Sequence, residues 1–298
     1  MKEARPTREN SRLTLKAPAK INLFLKVLQR RPDGYHEIES ALQKVTLFDT
    51  LYLARQEESI AVSCPGGRVP DGEENLVYKA AGHFFAASGI KQGIRIVLEK
   101  KIPVAAGLGG GSSDAAAVLH GLNRLFGAGL GLEQLKDIGL QLGADVPFFV
   151  ENCSGAIATS IGECLQEFAA ITAYWIVLVN PGFAVSTKWV YENFPLTSYA
   201  NPYILARDRD MPVNIAHALP GLIAELGNDL EEVTIKHYPE IGAIKKDLKR
   251  AGAVAALMSG SGPTVFGLFT EKKDAQKSYL QYQKAYGDSV FLVRPYIP

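Results

Sequence analysis

The residues best suited to chemistry lie in Pro103-Val104-Ala105-Ala106-Gly107-Leu108-Gly109-Gly110-Gly111-Ser112-Ser113, between a strand-like run ending at Lys101 and an alanine-rich run from Ala115. Glycines let the backbone approach a ligand and adopt positive φ, so successive N–H groups can converge on phosphate oxygens. A helix starting at Ser113 would add its unpaired N–H groups and the positive end of its dipole. The hydroxyls of Ser112 and Ser113 could also serve a Mg²⁺ ion. No Gly-Lys-Ser/Thr closes the segment, and the residues five beyond Gly107 and Gly109 are Ser112 and Asp114, so neither common nucleotide-loop pattern is met. A plain glycine-rich turn ahead of an alanine helix is the competing reading.

Other reactive side chains stand at punctuated places. Asp145 follows Gly143-Ala144 and precedes Val146-Pro147-Phe148-Phe149. A carboxylate in that apolar setting is either paired or functional, because burying it alone is costly, although a turn residue at a helix end is the bland alternative. Lys20 and Asn22 are two apart in a strand-like run and share a face; a solvated lysine and a bonded edge asparagine are the plain readings. Tyr35 and His36 come just after Pro32-Asp33-Gly34, where an ordinary turn and strand start would also fit. Gly260 and Gly262 form a tight turn between two apolar runs.

The elements needed to position these groups are legible as strands over 13–16, 21–27, 36–45, 50–54, 59–64 and 93–101, with more at 174–179, 254–258, 265–269 and 290–293. Helical spacing marks 75–88, 115–126, 132–142, 240–250 and 274–286, with Ser112 or Ser113 as the expected cap of the second. Strands and helices mix without strict alternation, which predicts an α+β fold in two domains, 13–170 and 171–298, after a polar extension at 1–12.

Composition narrows the function. A net charge of +1, with no long Lys/Arg block, argues against nucleic acid as a partner. The three cysteines (Cys64, Cys153, Cys164) and five histidines show no metal-ligand spacing, so no protein-held metal centre is expected. The uncharged stretches 168–187 and 252–270 are broken by Asn180-Pro181-Gly182 and Gly260-Ser261-Gly262-Pro263, which speaks against membrane spans. The polar start lacks an apolar signal core, so a cytoplasmic location is the expectation.

Pro103 and Gly107 through Ala116 together resemble the second motif of the galactokinase, homoserine kinase, mevalonate kinase and phosphomevalonate kinase superfamily. Ala17-Pro18-Ala19-Lys20-Ile21-Asn22-Leu23-Phe24-Leu25, followed by Arg31-Pro32-Asp33-Gly34-Tyr35-His36, resembles the N-terminal signature of the 4-diphosphocytidyl-2-C-methyl-D-erythritol kinases. Leu142 to Phe149 and Met258 to Phe266 complete the set in order, and the likeness runs from Leu13 to near the end. The resemblance implies ATP with Mg²⁺ as cofactor and a small substrate bearing a cytidine diphosphate. It implies Asp145 as the group that takes or orients the hydroxyl proton, Lys20 beside it, and Asn22 at the substrate. Gly107 through Ser113 would hold the phosphates, with Gly260 and Gly262 packed close by. Asn75 and Lys100 would lie near the adenine. Tyr35 would stack on the cytosine, His36 would read its polar edge, and Tyr191 would supply the opposite wall. Another kinase of the superfamily, or a non-catalytic relative that binds ligand, are the alternatives; the Asp33 to His36 segment speaks against the first and the joint presence of Lys20 and Asp145 against the second.

Overall fold

Two long strands dominate the first part of the chain in the computed structural model, which describes residues 12–66, 69–195 and 226–298. The extension expected at 1–12 therefore lies, but for Arg12, outside the described residues. β1 (Arg12–Arg30) and β2 (His36–Gln56) each run unbroken through what the sequence pattern divides into two strands. In β1 the exposure alternates as far as Lys16 and then gives way to a nearly continuous buried run from Ala17 to Leu25. Pro18 stands at the change of pattern, and its missing N–H is what suggests a break that the backbone does not make.

The described residues form an α+β fold in two compact units, both discontinuous in sequence. The first takes residues within 1–19, 48–104 and 109–152, and the second takes 20–47, 105–108 and 153–298. This differs from consecutive domains meeting near residue 170, because β1 and β2 each contribute to both units.

In the first unit β3 (Ile60–Ser63) lies parallel to β4 (Gly93–Glu99), and β4 runs antiparallel to β2 from Thr50↔Glu99 to Gln56↔Gly93. Four helices accompany them: α1 (Leu76–Ser88), α2 (Gly110–Phe126), α3 (Leu132–Leu142) and the short α4 (Val146–Val150). The apolar spacing of α1 buries Val77, Ala80, Ala81 and Phe84. Full burial of a side chain such as Phe84 is worth about 1.5–3 kcal/mol. α2 comes close to the strands at Gly121, where a Cβ would stand 2.5 Å from Leu15 and 2.8 Å from Leu53.

In the second unit the first half of β2 pairs antiparallel with β5 (Gly155–Ser160), and β5 with β6 (Cys164–Phe168). A separate antiparallel sheet has the order β10 (Val290–Val293), β7 (Trp175–Val179), β9 (Val265–Phe269), β8 (Ala255–Met258). α7 (Pro239–Arg250) and α8 (Lys272–Tyr286) pack on that sheet, while α5 (Thr187–Glu192) and α6 (Glu231–His237) are short. Ile241, Ile244 and Leu248 of α7 join Val177, Val179, Val265 and Phe269 in one apolar core. The uncharged stretches flagged above are strands and turns, and among the described residues no helix is long and apolar enough to cross a membrane.

Candidate active site

Lys20 points its ammonium into a dense polar network on β1. Only 4% of the residue is exposed, and Nζ donates to Asn22 Oδ1 at 2.6 Å. Asn22, on the same face, donates from Nδ2 to Ser40 Oγ on β2 at 2.9 Å. Its backbone N–H donates to Ser259 Oγ at 3.3 Å, and that hydroxyl donates to the carbonyl of Gly107 at 2.9 Å. Lys20 and the start of the glycine segment are thus held by shared partners.

The turn after β8 is built to close on this network. Gly107 has φ +74°, and a Cβ there would come within 2.0 Å of the Ser259 carbonyl oxygen, so only glycine fits. Gly260, at φ +55°, leaves Asn22 Oδ1 and Lys20 Nζ 3.2 and 3.4 Å from where its Cβ would be. Gly262 donates to Ser259 O at 2.9 Å, which makes the turn a tight hairpin as well as a cover for Gly107. Asn228, ahead of α6, donates to the carbonyls of Met258 and Gly260 at 2.9 and 2.7 Å and braces the turn. Backbone bonds from Lys20 to Leu108 O and from Thr264 to Ala106 O, at 3.0 and 3.3 Å, fix the segment on either side of Gly107. Leu108 itself is an apolar anchor, 1% exposed.

α2 begins earlier than its alanine pattern suggests. Its cap is Gly109, at φ +68°, rather than Ser112 or Ser113, and its first residue is Gly110. Glycine's poor helix propensity hides this turn from a reading of sequence. Gly110, Gly111 and Ser112 precede the first intrahelical bond, donated by Ser113 to Gly109 O at 2.9 Å, so their N–H groups have no intrahelical partner. Ser113 Oγ is buried and makes no hydrogen bond among the described residues. A hydroxyl orphaned in the first turn of a 17-residue helix fits a phosphate oxygen or the cation that accompanies it.

Below that turn, within the same unit, Lys100 lies between Asp49 and Asp114. Its Nζ is 2.8 Å from Asp114 Oδ2 and also bonded to Asp49 Oδ2, while Asp49 Oδ1 accepts from the N–H groups of Lys101 and Ile102 at 2.5 and 2.9 Å. A Cβ on Gly110 would stand 3.1 Å from this ammonium. The side chain of Lys100, expected near the adenine, is 3% exposed and engaged with the carboxyl groups of Asp49 and Asp114. Burial works against the charge on Lys100, but the two carboxylates outweigh it and raise its pKa. Burial, opposed by Lys100 and reinforced by Asp49, pushes the Asp114 carboxyl up to about 8.

Asp145 caps α4 and is half-buried, with Pro147 fixing the second helical position. It belongs to the first unit, and Lys20 to the second. Asn75 caps α1: Oδ1 accepts from Val77 N–H at 2.9 Å and Nδ2 donates to Pro70 O at 2.8 Å. That accounts for part, not all, of its bonding capacity. At the far end of β1, the Arg31 to Tyr35 turn is pinned by Asp33 Oδ1, which accepts from Tyr35 N–H at 3.0 Å. Tyr35 is 59% exposed, whereas His36 is buried with its ring centroid 5.1 Å from that of Tyr191, the planes tilted by 32°. Tyr191, expected as the aromatic wall opposite Tyr35, lies against His36. Burial, and then the Arg30 charge, lower the His36 pKa and keep the ring neutral near pH 7.

The family model for the GHMP kinases N terminal domain matches residues 75–152, and that for the GHMP kinases C terminal matches 213–288. The 4-diphosphocytidyl-2-C-methyl-D-erythritol kinase of Geobacter metallireducens is 49% identical over 265 residues, covering 89% of this chain and 92% of its own. The enzyme of the same name from Geobacillus sp. is 44% identical over 284 residues, covering 95% and 96%. The chain belongs to the 4-diphosphocytidyl-2-C-methyl-D-erythritol kinases of the GHMP superfamily. A crystal structure of a 4-(cytidine 5'-diphospho)-2C-methyl-D-erythritol kinase, 34% identical, superposes with a TM-score of 0.75 over 94% of this chain and 98% of its own. Homoserine kinase from Cytophaga hutchinsonii, at 20% identity and a TM-score of 0.74, covers 100% and 99% and shares the fold.

Several residues that shape the site in this kinase escape a sequence reading. Ser259 and Asp114 lie inside segments that carry the resemblance, yet nothing local marks one as the partner of Gly107 or the other as a partner of Lys100. Nothing local marks Ser40, Asp49 or Asn228 either, and only tertiary contact reveals them. No group of three or more His, Cys, Asp or Glu residues that could hold a metal occurs among the described residues.

Proposed function

We propose that this chain transfers the γ-phosphoryl group of ATP to the 2-hydroxyl of 4-diphosphocytidyl-2-C-methyl-D-erythritol, in the non-mevalonate route to isoprenoids, with Lys20 and Asp145 as the catalytic pair. The observation that carries the roles is the buried Lys20 ammonium, bonded to Asn22 and tied through Ser259 to Gly107 of the phosphate segment. Phosphoryl transfer asks the protein mainly for positioning and for charge placed where negative charge gathers on the moving group. Lys20 supplies that charge, Asn22 lies beside it at the substrate, and Asp145 takes or orients the hydroxyl proton.

The N–H groups at the start of α2 receive the phosphates, and Gly107, Leu108 and Gly109 set their direction. Gly260 and Gly262 shape the cover. Ser112 and Ser113 would hold the Mg²⁺ that accompanies ATP, a reading supported by the orphaned Ser113 hydroxyl, and bound there it would screen the phosphate charge. Asn75 contacts the adenine through its remaining bonding capacity, and Lys100 supports that region from within. Tyr35 stacks on the cytosine, while His36, neutral and backed by Tyr191, reads its edge. The location is cytoplasmic, where substrate and ATP are both small and soluble.

Steady-state kinetics on Asp145→Asn, Lys20→Met and the double variant test these roles. A positioned acid–base group contributes roughly 10²- to 10⁴-fold in rate, so Asp145→Asn is expected to lower kcat by at least about 10²-fold with both substrates still bound. The double variant should be little worse than the poorer single one, because residues that act as a unit are not additive. A folded, substrate-binding Asp145→Asn protein within a few-fold of the parent removes Asp145 from the role.

A further inference from the structure

We infer that Ser40 is a positioning residue for phosphoryl transfer: it fixes the side-chain amide of Asn22 so that the oxygen, and not the nitrogen, faces Lys20. The inference rests on Lys20 acting as proposed above, and it follows from the direction of three hydrogen bonds. Ser40 Oγ lies 2.6 Å from the backbone carbonyl of Phe24. A carbonyl can only accept, so the single hydroxyl hydrogen of Ser40 is committed to it. Toward Asn22, 2.9 Å away, Ser40 then has only lone pairs to offer. Asn22 must donate there, which turns its NH₂ to Ser40 and its Oδ1 to the Lys20 ammonium at 2.6 Å. An ammonium can only donate, so the chain from Phe24 O to Lys20 has one consistent polarity.

Burial makes the polarity matter. Ser40 is 1% and Asn22 3% exposed, so water cannot replace a lost partner. Without the Ser40 hydroxyl, Asn22 Nδ2 is a stranded donor, and an amide stranded in this way rotates toward whatever acceptor it can reach. Losing the hydroxyl also frees the Phe24 carbonyl, while that of Gly107 stays bonded to Ser259, so Nδ2 turns toward Phe24. Rotation takes Oδ1 away from Lys20, and the ammonium loses a contact that aims it. Ser40 touches neither substrate nor reacting atoms in this account and acts only through Asn22.

Ser40→Ala is expected to lower kcat about tenfold while leaving KM for ATP within about twofold of the parent, the size expected when one buried hydrogen bond in a catalytic network is lost. Ser40→Thr keeps the hydroxyl on a residue suited to strands and should restore kcat to within about threefold. Where Ser40→Ala does not fold, Ser40→Cys, of similar size but with a weak donor and acceptor, should reproduce the kcat loss. The decisive arm repeats the substitution in an Asn22→Asp background. A carboxylate presents an oxygen to Lys20 whichever way it turns and has no donor to strand, so there removal of the Ser40 hydroxyl should cost little.

Parental kcat in folded Ser40→Ala, equal impairment of Ser40→Thr, or an undiminished cost in the Asn22→Asp background would each overturn the inference. Lys20→Met in the same assay separates the two failures. If Lys20→Met keeps its rate, the role of Lys20 is wrong; if it loses the rate while Ser40→Ala does not, only the role of Ser40 is.

Discussion

Lys20 and Lys100 are both almost wholly buried, yet the groups that fix them within their own units differ in kind. Around Lys20 the supports in the second unit are neutral: an amide, two serine hydroxyls and backbone carbonyls. Around Lys100 they are the carboxylates of Asp49 and Asp114, with one oxygen of Asp114 left without a hydrogen bond among the described residues. A neutral scaffold aims the ammonium from within its own unit by hydrogen bonds alone. Asp49, with the Asp114 carboxyl as a second hydrogen-bond partner, engages the charge and turns the lysine into a structural tie beneath the start of α2. The contrast separates two lysines that a motif scan treats alike.

Lys100→Met should break the contrast most sharply. It leaves the buried Asp49 without its counter-ion and Asp114 without a hydrogen-bond donor, and breaking a buried ion pair costs about 3–5 kcal/mol. A fall of that size in unfolding free energy from denaturant titration is expected, larger than that caused by Lys20→Met. If Lys20→Met destabilises more, the assignment of structural and catalytic lysines is reversed.

Tyr35→Ala carries a smaller effect. Loss of a base–aromatic stack is worth about 1–3 kcal/mol, so KM for the cytidyl substrate should rise roughly 5- to 100-fold while that for ATP stays put. A change confined to ATP would place Tyr35 at the wrong ligand.

The smallest effect is a dependence on pH. Asp114 holds its proton to about 8 in the folded protein against an ordinary 3.8. The folded state therefore binds more protons than the unfolded one across that window, and stability is greatest at its acid end and declines as pH rises through it. Lys100, whose pKa is raised, adds its own loss only at still higher pH. Asp114→Asn removes the first titration, so its melting temperature should fall less than the parent's between about pH 6 and about pH 9. Parallel curves for the two proteins would show that Asp114 does not titrate there.

What sequence made legible follows period and punctuation. α1, α3 and the strands of the second sheet have apolar spacing and glycine or proline ends, and they lie where the pattern puts them. α4, α5 and α6 are five to seven residues long, too short for a helical period to register, and β5 and β6 alternate too weakly to mark. The start of α2 is hidden because glycine serves the loop and the first turn alike. At the site, Gly107 and Gly260 could be chosen from the sequence because their backbones must do what other residues cannot. Ser40 and Asn228 could not, since a hydrogen bond across 18 or 32 residues leaves no local trace. Lys100 is marked by its position, but its contact with Asp49, which stands 51 residues earlier, is not.

The most direct test of the whole account is a phosphoryl-transfer assay on the intact protein, with ATP and Mg²⁺ and one candidate acceptor at a time. Product formed from 4-diphosphocytidyl-2-C-methyl-D-erythritol would be followed by ³¹P NMR, with homoserine and mevalonate as competing acceptors. The account predicts a new phosphomonoester signal with the cytidyl substrate and none above background with the other two. Equal or faster phosphorylation of homoserine or mevalonate would contradict it.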